Sequence, residues 1–140
     1  MLDFGCPMKL RLLSWNVRGA NDSSKRKVIK AMIRSQRVDL FCIQETKIQT
    51  MSEGVVRSLG SGRFLDWGAM GAQGSAGGIL ICWDKRSLEL LEMEVGQFSI
   101  SCRLKNVEDG PVWIFNGVYG PFTRKERETM WEELGAIRGI

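Results

Sequence analysis

The stretch DLFCIQETK, residues 39–47, decides the fold, because a run of apolar residues ends there in a carboxylate. Four consecutive apolar residues between polar ones indicate a short buried strand, and Glu45 follows at its C-terminal end. Active sites of layered α/β proteins form at such strand ends, so Glu45 is a candidate site residue. On this stretch alone, a strand-end glutamate that is solvated or paired with Lys47 is the more ordinary interpretation.

The segment KLRLLSWN, residues 9–16, strengthens the functional interpretation of Glu45. It is a second strand-like run that ends in a polar side chain, the amide of Asn16. If the two strands are parallel neighbours, Asn16 and Glu45 emerge at the same edge of the sheet. An amide beside a carboxylate suits a hard divalent cation and a phosphate oxygen, since Mg²⁺ binds one or two carboxylates and keeps its waters.

The segment between these two strands has the pattern of a helix. Residues 19–24 form a turn that offers N-caps, and apolar residues then recur at helical spacing. This order predicts a parallel, right-handed strand, helix, strand unit. The helix carries apolar Val28, Ile29, Met32 and Ile33 and basic Lys25, Arg26, Lys27, Lys30 and Arg34. The basic residues form either a phosphate-tracking face or, more often for such patterns, an ordinary solvated surface.

Further strands and turns follow. The glycine-rich segment 68–78 lacks the Lys-Ser/Thr ending of a P-loop, so we interpret it as a loop that lets the backbone come close to the site. A turn containing Gly110 predicts an antiparallel hairpin. The predicted elements are a short helix within 50–60, strands at 63–69, 79–83, 88–95, 97–105 and 112–119, and a helix opened by a capping box at 123–126 with Met130, Trp131 and Leu134 inward.

The length and amino-acid composition limit the class of protein to which the chain can belong. The chain has 140 residues, 44% of them hydrophobic, which suffices for the core of one domain. Its net charge of +4 favours contact with polyanions without requiring it. The N-terminus has no secretory pattern, and no apolar run is long enough for a membrane span. Four cysteines without metal-ligand spacing indicate a reduced, intracellular compartment, nuclear or cytoplasmic.

Four motifs together resemble one family. They are LSWNVRG at 13–19, IQETK at 43–47, GGILICWD at 77–84 and VYGP at 118–121. In this order they resemble the endonuclease/exonuclease/phosphatase superfamily, and within it the abasic-endonuclease-like domain of plant LINE-type non-LTR retrotransposons. The resemblance implies an α/β fold of the α+β kind, a four-layer αββα sandwich of two mixed sheets with flanking helices. Only the N-terminal part of that domain is covered, with residues 1–8 as an appendage and 9–140 as the partial domain.

The resemblance also implies roles for particular residues. The glutamate of the family's Gln-Glu-Thr motif binds the catalytic Mg²⁺ or Mn²⁺, and the asparagine of its Trp-Asn motif helps to organise the metal, which points to Glu45 and Asn16. The family tyrosine beside the scissile phosphate falls on Tyr119, which from its sequence context alone fits a strand-end tyrosine with a wet hydroxyl. We assign contacts to phosphate or DNA to Lys47, Gly77, Gly78 and Asn116.

Some family features are missing. Some abasic endonucleases have aspartate where this chain has Arg18, and many have asparagine where it has Phe122. The later Asp-x-Asn motif and the final Asp-His pair are absent, and the chain contains no histidine. Hydrolysis of a phosphodiester requires water, metal and phosphate to be positioned together. We therefore expect the 140 residues alone to be inactive, with unpaired strand edges that favour self-association.

Three functional hypotheses follow from these observations. The first is the N-terminal part of a metal-dependent, DNA-nicking endonuclease of a LINE-type retrotransposon. The second is a non-enzymatic, degenerate retroelement remnant that binds nucleic acid weakly. The third is a phosphomonoesterase or phosphoinositide phosphatase, because the superfamily includes both; the LINE-like motifs make it the weakest of the three.

Overall fold

Two β-sheets and two helices make up the part of the chain that the computed structural model describes, which is residues 10–60, 64–73, 77–108 and 110–119. Strands β1 to β7 and helices α1 and α2 are numbered separately, each in chain order. The elements are β1 Leu12–Asn16, α1 Ser23–Gln36, β2 Leu40–Gln44, α2 Glu53–Leu59, β3 Leu65–Met70, β4 Ile79–Asp84, β5 Leu88–Val95, β6 Ser99–Asn106 and β7 Val112–Val118.

The first sheet has four strands in the order β1-β2-β4-β3. Strands β1 and β2 are parallel, with Leu12 opposite Leu40 and Asn16 opposite Gln44. Strand β4 runs antiparallel to both of its neighbours, β2 and β3. The predicted strand, helix, strand unit is therefore confirmed, and it brings the C-terminal ends of β1 and β2 to one edge of the sheet.

Helix α1 connects these two parallel strands. It begins at an N-cap, where the Asp22 side chain accepts a hydrogen bond from the Ser24 N–H, and its C-cap residue Arg37 is left-handed with φ 50°. Ile29 and Ile33 are buried, as their spacing predicts. Val28 is 64% exposed and Met32 42% exposed, so the packed face is narrower than the apolar pattern suggests.

The second sheet is antiparallel, with the order β5-β6-β7. The hairpin predicted between β6 and β7 is confirmed, with Ser99 opposite Val118 and Lys105 opposite Val112. The register between β5 and β6 shifts between Leu90 and Glu92, which marks a β-bulge within the strand predicted at 88–95.

Two hydrophobic cores hold the layers together. In β2, Phe41 and Ile43 pack towards the helices, whereas Leu40 and Cys42 pack between the two sheets. The described residues thus form three layers: helices, the four-stranded sheet and the three-stranded sheet. This mixed architecture confirms the predicted fold class, and the helix predicted from residue 123 lies outside the described residues.

Three cysteines are buried free thiols, as their apolar surroundings predict. Burial raises the pKa of Cys42 to about 12 and that of Cys102 to about 11. Burial also raises the pKa of Cys82 well above the usual value of a thiol. Cys6 lies outside the described residues. Within the described part of the chain, no helix has the length and apolar character needed to span a membrane.

Candidate active site at the ends of strands β1 and β2

Asn16 and Glu45 meet at the edge of the four-stranded sheet. The parallel register puts Asn16 opposite Gln44, so the residue that follows β2 lies beside the end of β1. The Asn16 Nδ2 donates a hydrogen bond of 2.5 Å to the Glu45 Oε2. The predicted proximity of the two side chains is therefore observed. Among the described residues Glu45 forms no ion pair with Lys47, which was one of the two ordinary interpretations of this glutamate, the other being a solvated side chain.

The amide of Asn16 has a fixed orientation. Its Oδ1 accepts a hydrogen bond from the Arg18 backbone N–H at 3.1 Å. Because the oxygen must face this donor, the NH₂ group faces the carboxylate of Glu45. Sequence reasoning treated Arg18 only as a departure from the family pattern, but its backbone N–H orients the site amide whatever the side chain is.

Backbone hydrogen bonds extend the pairing of β1 and β2 beyond the strands. The Gly19 N–H donates to the Glu45 carbonyl at 2.6 Å, and the Ala20 N–H donates to the Thr46 carbonyl at 2.8 Å. Thr46 is buried, although it is polar. These bonds hold the two loops in register, and so they fix the position of Glu45 relative to Asn16.

Unusual backbone conformations cluster in these loops. Arg18, Glu45 and Lys47 have φ values of 54°, 55° and 59°. Non-glycine residues adopt this left-handed region infrequently, at a cost of order 1–3 kcal/mol each. Such strain persists only where surrounding contacts impose it, and it is concentrated at functional sites.

Gly77 and Gly78 close the site on the side of β4. The Thr46 N–H donates to the Gly78 carbonyl at 3.1 Å, and the Lys47 N–H donates to the Gly77 carbonyl at 2.8 Å. The two glycines have φ values of +80° and +94°, and a Cβ on Gly78 would overlap the Thr46 hydroxyl. The loop thus brings its backbone close to the site, as the sequence suggests.

Tyr119 lies at the same edge. A Cβ on Gly77 would be 3.3 Å from the Tyr119 ring, so the ring packs directly against this glycine. The Tyr119 N–H donates to the Phe98 carbonyl at 2.7 Å, and the two rings stack with centroids 6.3 Å apart. The Gln44 Nε2 donates to the Val118 carbonyl at 3.1 Å, which ties the end of β7 to the end of β2.

Asn116 does not lie at the edge of the sheet where Asn16, Glu45 and Tyr119 are found. Its Oδ1 accepts a 2.6 Å hydrogen bond from the Ser101 hydroxyl across the pair of strands β6 and β7. Its neighbours Phe115 and Gly117 face the core between the sheets, so Asn116 points to the outer face of the three-stranded sheet. The structure therefore does not bring Asn116 together with Asn16, Glu45 and Tyr119.

Sequence reasoning missed the function of the basic residues that begin α1. The Arg26 Nη1 donates to the carbonyls of Ala20 and Asn21, both at 2.9 Å, and the Asn21 Nδ2 donates to the Lys47 carbonyl at 3.0 Å. The Lys25 Nζ donates to the Arg18 carbonyl at 3.0 Å. These side chains hold the site loop in place. Their position in the sequence could have indicated this function, because basic residues are unfavourable in the first turn of a helix and need another reason to be there.

The donor set fits a hydrated divalent cation. Within the described residues, no cluster of three or more His, Cys, Asp or Glu side chains is present. Glu45 supplies one carboxylate, whose Oε2 is shared with the amide of Asn16. Mg²⁺ accepts such a sparse set of protein ligands, because it is usually bound through one or two carboxylates and keeps several waters.

The fold is shared with enzymes that act on nucleic acids. The AP endonuclease of Leishmania major superposes with a TM-score of 0.63 at 15% identity, over 86% of this chain and 43% of its own. The APE2 catalytic domain of Xenopus laevis gives 0.60 at 15% identity, over 88% and 49%. TDP2 of D. rerio, complexed with a single-strand DNA product, gives 0.59 at 16% identity, over 91% and 52%.

The sequence itself matches the Endonuclease/Exonuclease/phosphatase family over residues 13–134. The chain belongs to this family. It spans about half the length of the solved structures that it matches. No curated protein matches it significantly.

Proposed function

We propose that this chain is the N-terminal part of a divalent-metal-dependent phosphodiesterase domain that acts on DNA. The hydrogen-bonded pair of Asn16 and Glu45 carries the proposal, because it places one hard anionic ligand and a fixed amide at the strand ends where β1 and β2 meet. Members of this family generally depend on divalent metal ions.

The side chains have separate functions in this proposal. Glu45 holds the Mg²⁺ or Mn²⁺ ion, and Asn16 keeps the carboxylate in position. When bound, the metal supplies positive charge that stabilises a phosphoryl group under attack. Tyr119, packed on Gly77, contacts a phosphate oxygen and stabilises its negative charge through its hydroxyl.

DNA is the proposed substrate class. Two structural neighbours are AP endonucleases, and a third holds a single-strand DNA product. The net charge of +4 favours a polyanion. Lys47, Gly77 and Gly78 adjoin Glu45 and are the proposed phosphate contacts. Asn116 faces another surface and is the least supported of the four DNA-binding assignments.

A retrotransposon origin and inactivity of the isolated chain are further parts of the proposal. The LINE-like motifs support the origin and, with the buried free thiols, a nuclear or cytoplasmic location. The absence of histidine from the 140 residues supports inactivity, because the family's final Asp-His pair cannot form within them. Within the described residues, β1 is an edge strand with an exposed Leu12, and such edges support self-association, which light scattering after gel filtration would measure as a dimer or larger species.

The direct test is metal binding. Broadening of amide NMR signals by Mn²⁺ should centre on residues 16–18, 45–47 and 77–78, and the Glu45→Gln variant should lose it. Glu92→Gln, on β5 of the other sheet, removes the same charge far from the site and should leave the broadening unchanged. Uniform broadening, or equal broadening in the Glu45→Gln variant, would overturn the proposed metal site.

Activity assays separate the remaining hypotheses. We expect the chain to bind DNA with affinity that falls steeply as salt rises, and not to nick supercoiled plasmid in Mg²⁺. Nicking that Glu45→Gln abolishes would contradict the proposed inactivity and support an active endonuclease. Phosphate release from phosphoinositide head groups without nicking would instead favour the phosphatase hypothesis. Absence of DNA binding at low salt would contradict the proposed substrate class.

A further inference from the structure

A cleft of about 400 Å³ lies at the end of the four-stranded sheet opposite to the Asn16–Glu45 site. It is formed where α1 ends, where β2 begins and where the chain turns after β4. Asp39, which lines it, precedes β2, whereas Glu45 follows β2. Six residues of extended chain separate the two positions by roughly 20 Å. The cleft is therefore a separate place on the molecule.

The carboxylates of the cleft are already occupied. The Asp39 Oδ1 accepts from the Ser87 hydroxyl at 2.7 Å, and its Oδ2 accepts from the Arg11 N–H at 2.9 Å. Both oxygens of Asp84 accept from the guanidinium of Arg86, with the shortest bond at 2.7 Å. The charge of Asp84 is thus compensated by an ion pair, whereas that of Asp39 is stabilised by neutral hydrogen-bond donors.

Two arginines of the cleft differ from these carboxylates, because their guanidinium groups have no partner within the described residues. Arg34 and Arg37 line it at the end of α1, and among the described residues neither guanidinium donates a hydrogen bond or joins an ion pair. The favourable effect of a cation on a helix C-terminus accounts for basic residues there. However, the Gln36 carbonyl at this terminus already accepts a hydrogen bond from the Arg11 Nη1 at 3.2 Å. Both guanidinium groups remain available for an anion.

The floor of the cleft is apolar. Ile33 and Phe41 contribute buried side chains, and Leu65 contributes a half-buried one. A volume of about 400 Å³ lies within the range of small-molecule sites, which combine an apolar lining with a few polar groups. Guanidinium groups recognise phosphate through paired, charge-assisted hydrogen bonds. The cleft thus offers charge at one side and a small apolar area at its base, to which half-buried Leu65 contributes more than the almost fully buried Ile33 and Phe41.

We propose that this cleft binds a phosphate monoester that carries a flat heteroaromatic group, the chemistry of a nucleoside monophosphate. Arg34 and Arg37 hold the phosphate, and the base lies on the floor formed by Ile33, Phe41 and Leu65. The same chemistry is present in a free mononucleotide and at the phosphorylated 5′ end of a nucleic acid strand. Neither source involves the Asn16–Glu45 pair.

Titration followed by amide NMR tests the proposal on the whole chain, with AMP, inorganic phosphate and an oligonucleotide with or without a 5′-phosphate as probes. AMP should shift the signals of residues 33–39 and bind more tightly than phosphate alone. The double variant Arg34→Gln/Arg37→Gln should weaken AMP binding about tenfold or more, because it removes two charge-assisted contacts. Affinities are read from the signals of residues 33–39, because DNA is also proposed to bind beside Glu45. At these residues, tighter binding of the 5′-phosphorylated oligonucleotide than of AMP identifies a strand end as the source, and the reverse order identifies the free nucleotide.

Matched variants make the test decisive. Lys27→Gln/Arg57→Gln removes two positive charges from exposed positions outside the cleft, and it should bind AMP as the unmodified chain does. Glu45→Gln should also bind AMP normally, so a failure of the proposed metal site leaves this test intact. Absence of shifts at residues 33–39 in the unmodified chain with millimolar AMP would overturn the proposal. So would equal weakening by both double variants. Equal shifts at residues 33–39 from oligonucleotides with and without the 5′-phosphate would exclude a strand end as the source.

Discussion

The two ends of strand β2 are built in different ways. At its C-terminal end, Arg18, Glu45 and Lys47 have left-handed backbones and lie in loops joined by backbone hydrogen bonds. At its N-terminal end, the left-handed non-glycine residue is Arg37, which ends a helix, where this conformation is common. Ordinary capping and an ion pair between Asp84 and Arg86 complete that end.

This difference shows where the fold tolerates backbone strain. A left-handed residue within a loop is unfavourable by itself, so neighbouring contacts must hold it. Around Glu45 these contacts are the hydrogen bonds from Gly19, Thr46 and Lys47. Their common result is that the carboxylate of Glu45 meets the amide of Asn16. The hydrogen bonds that hold the strained backbone at this end of the sheet therefore also bring the two side chains together.

The largest expected effect is that of Gly78→Ala. The new methyl group would overlap the Thr46 hydroxyl and lie 3.2 Å from the Lys47 nitrogen, on a backbone with φ +94°. We expect the free energy of unfolding to fall by about 3 kcal/mol, from steric overlap and backbone strain combined. Urea denaturation followed by circular dichroism would measure it.

Gly110→Ala is the matched control for Gly78→Ala. Gly110 has a similar φ of +87°, but nothing lies within 4 Å of the position that its new methyl group would take, so strain acts without overlap. Its expected loss of stability is about 1 kcal/mol. Equal losses for the two variants would show that the packing around Gly78 does not hold the site loops.

The next effect concerns the arginine that holds the site loop. Arg26→Met keeps the aliphatic part of the side chain but removes the hydrogen bonds to the carbonyls of Ala20 and Asn21. We expect a loss of about 2 kcal/mol, because both bonds come from a charged donor. Hydrogen exchange should accelerate at the amides of Gly19 and Ala20, which donate to the loop that contains Glu45.

Arg57→Met provides the comparison for this arginine. Arg57 is exposed on α2, and its backbone carbonyl, which accepts from the Lys30 Nζ, is unaffected by the substitution. Stability should change by less than about 0.5 kcal/mol, as for most surface substitutions. If hydrogen exchange at the amides of Gly19 and Ala20 is unchanged in Arg26→Met, Arg26 does not maintain the geometry of the site.

Local patterns explain how much of the fold could be predicted from the sequence. The apolar run 40–43 is short and bounded by polar residues, so it specifies a buried strand directly. The strand, helix, strand order then determines parallel pairing, and parallel pairing places Asn16 beside Glu45. The hairpin of β6 and β7 follows equally from alternation and a Gly-containing turn.

Contacts between distant segments explain what could not be predicted. Asn116 is an exception, because the alternation of β7, a local pattern, is enough to turn it to the face opposite to Phe115 and Gly117. The bonds of Arg26 to loop carbonyls depend on how the loop folds back over α1, which no local pattern specifies. Likewise, the exposure of Val28 depends on the angle at which the helix meets the sheet.

A smaller effect of opposite sign is expected for substitutions that relieve left-handed strain. Arg37→Gly and Lys47→Gly each place glycine where φ is 50° or 59°, and we expect each to raise the free energy of unfolding by about 0.5–1 kcal/mol. The two ends of β2 should differ in function. With DNA that lacks a 5′-phosphate, Lys47→Gly should weaken binding, whereas Arg37→Gly should leave it nearly unchanged, as measured by fluorescence anisotropy. Equal DNA affinities would remove Lys47 from the proposed DNA-binding surface.

The smallest effect should come from the ion pair at the other end of the sheet, and it should depend on pH. Hydrogen bonds from Arg86 lower the pKa of the Asp84 carboxyl below its usual 3.8. The pair therefore stabilises the fold fully above pH 3.8, and this contribution is lost as the pH falls through the lowered pKa of Asp84. Arg86→Met should lower the melting temperature only slightly at neutral pH, because exposed ion pairs contribute little. The decrease should become smaller as the pH falls below 3.8. Lys27→Met, which removes an exposed cation from the acid-free helix α1, should show no such pH dependence. A decrease for Arg86→Met that persists in acid would instead indicate the stacking of Arg86 on Phe64.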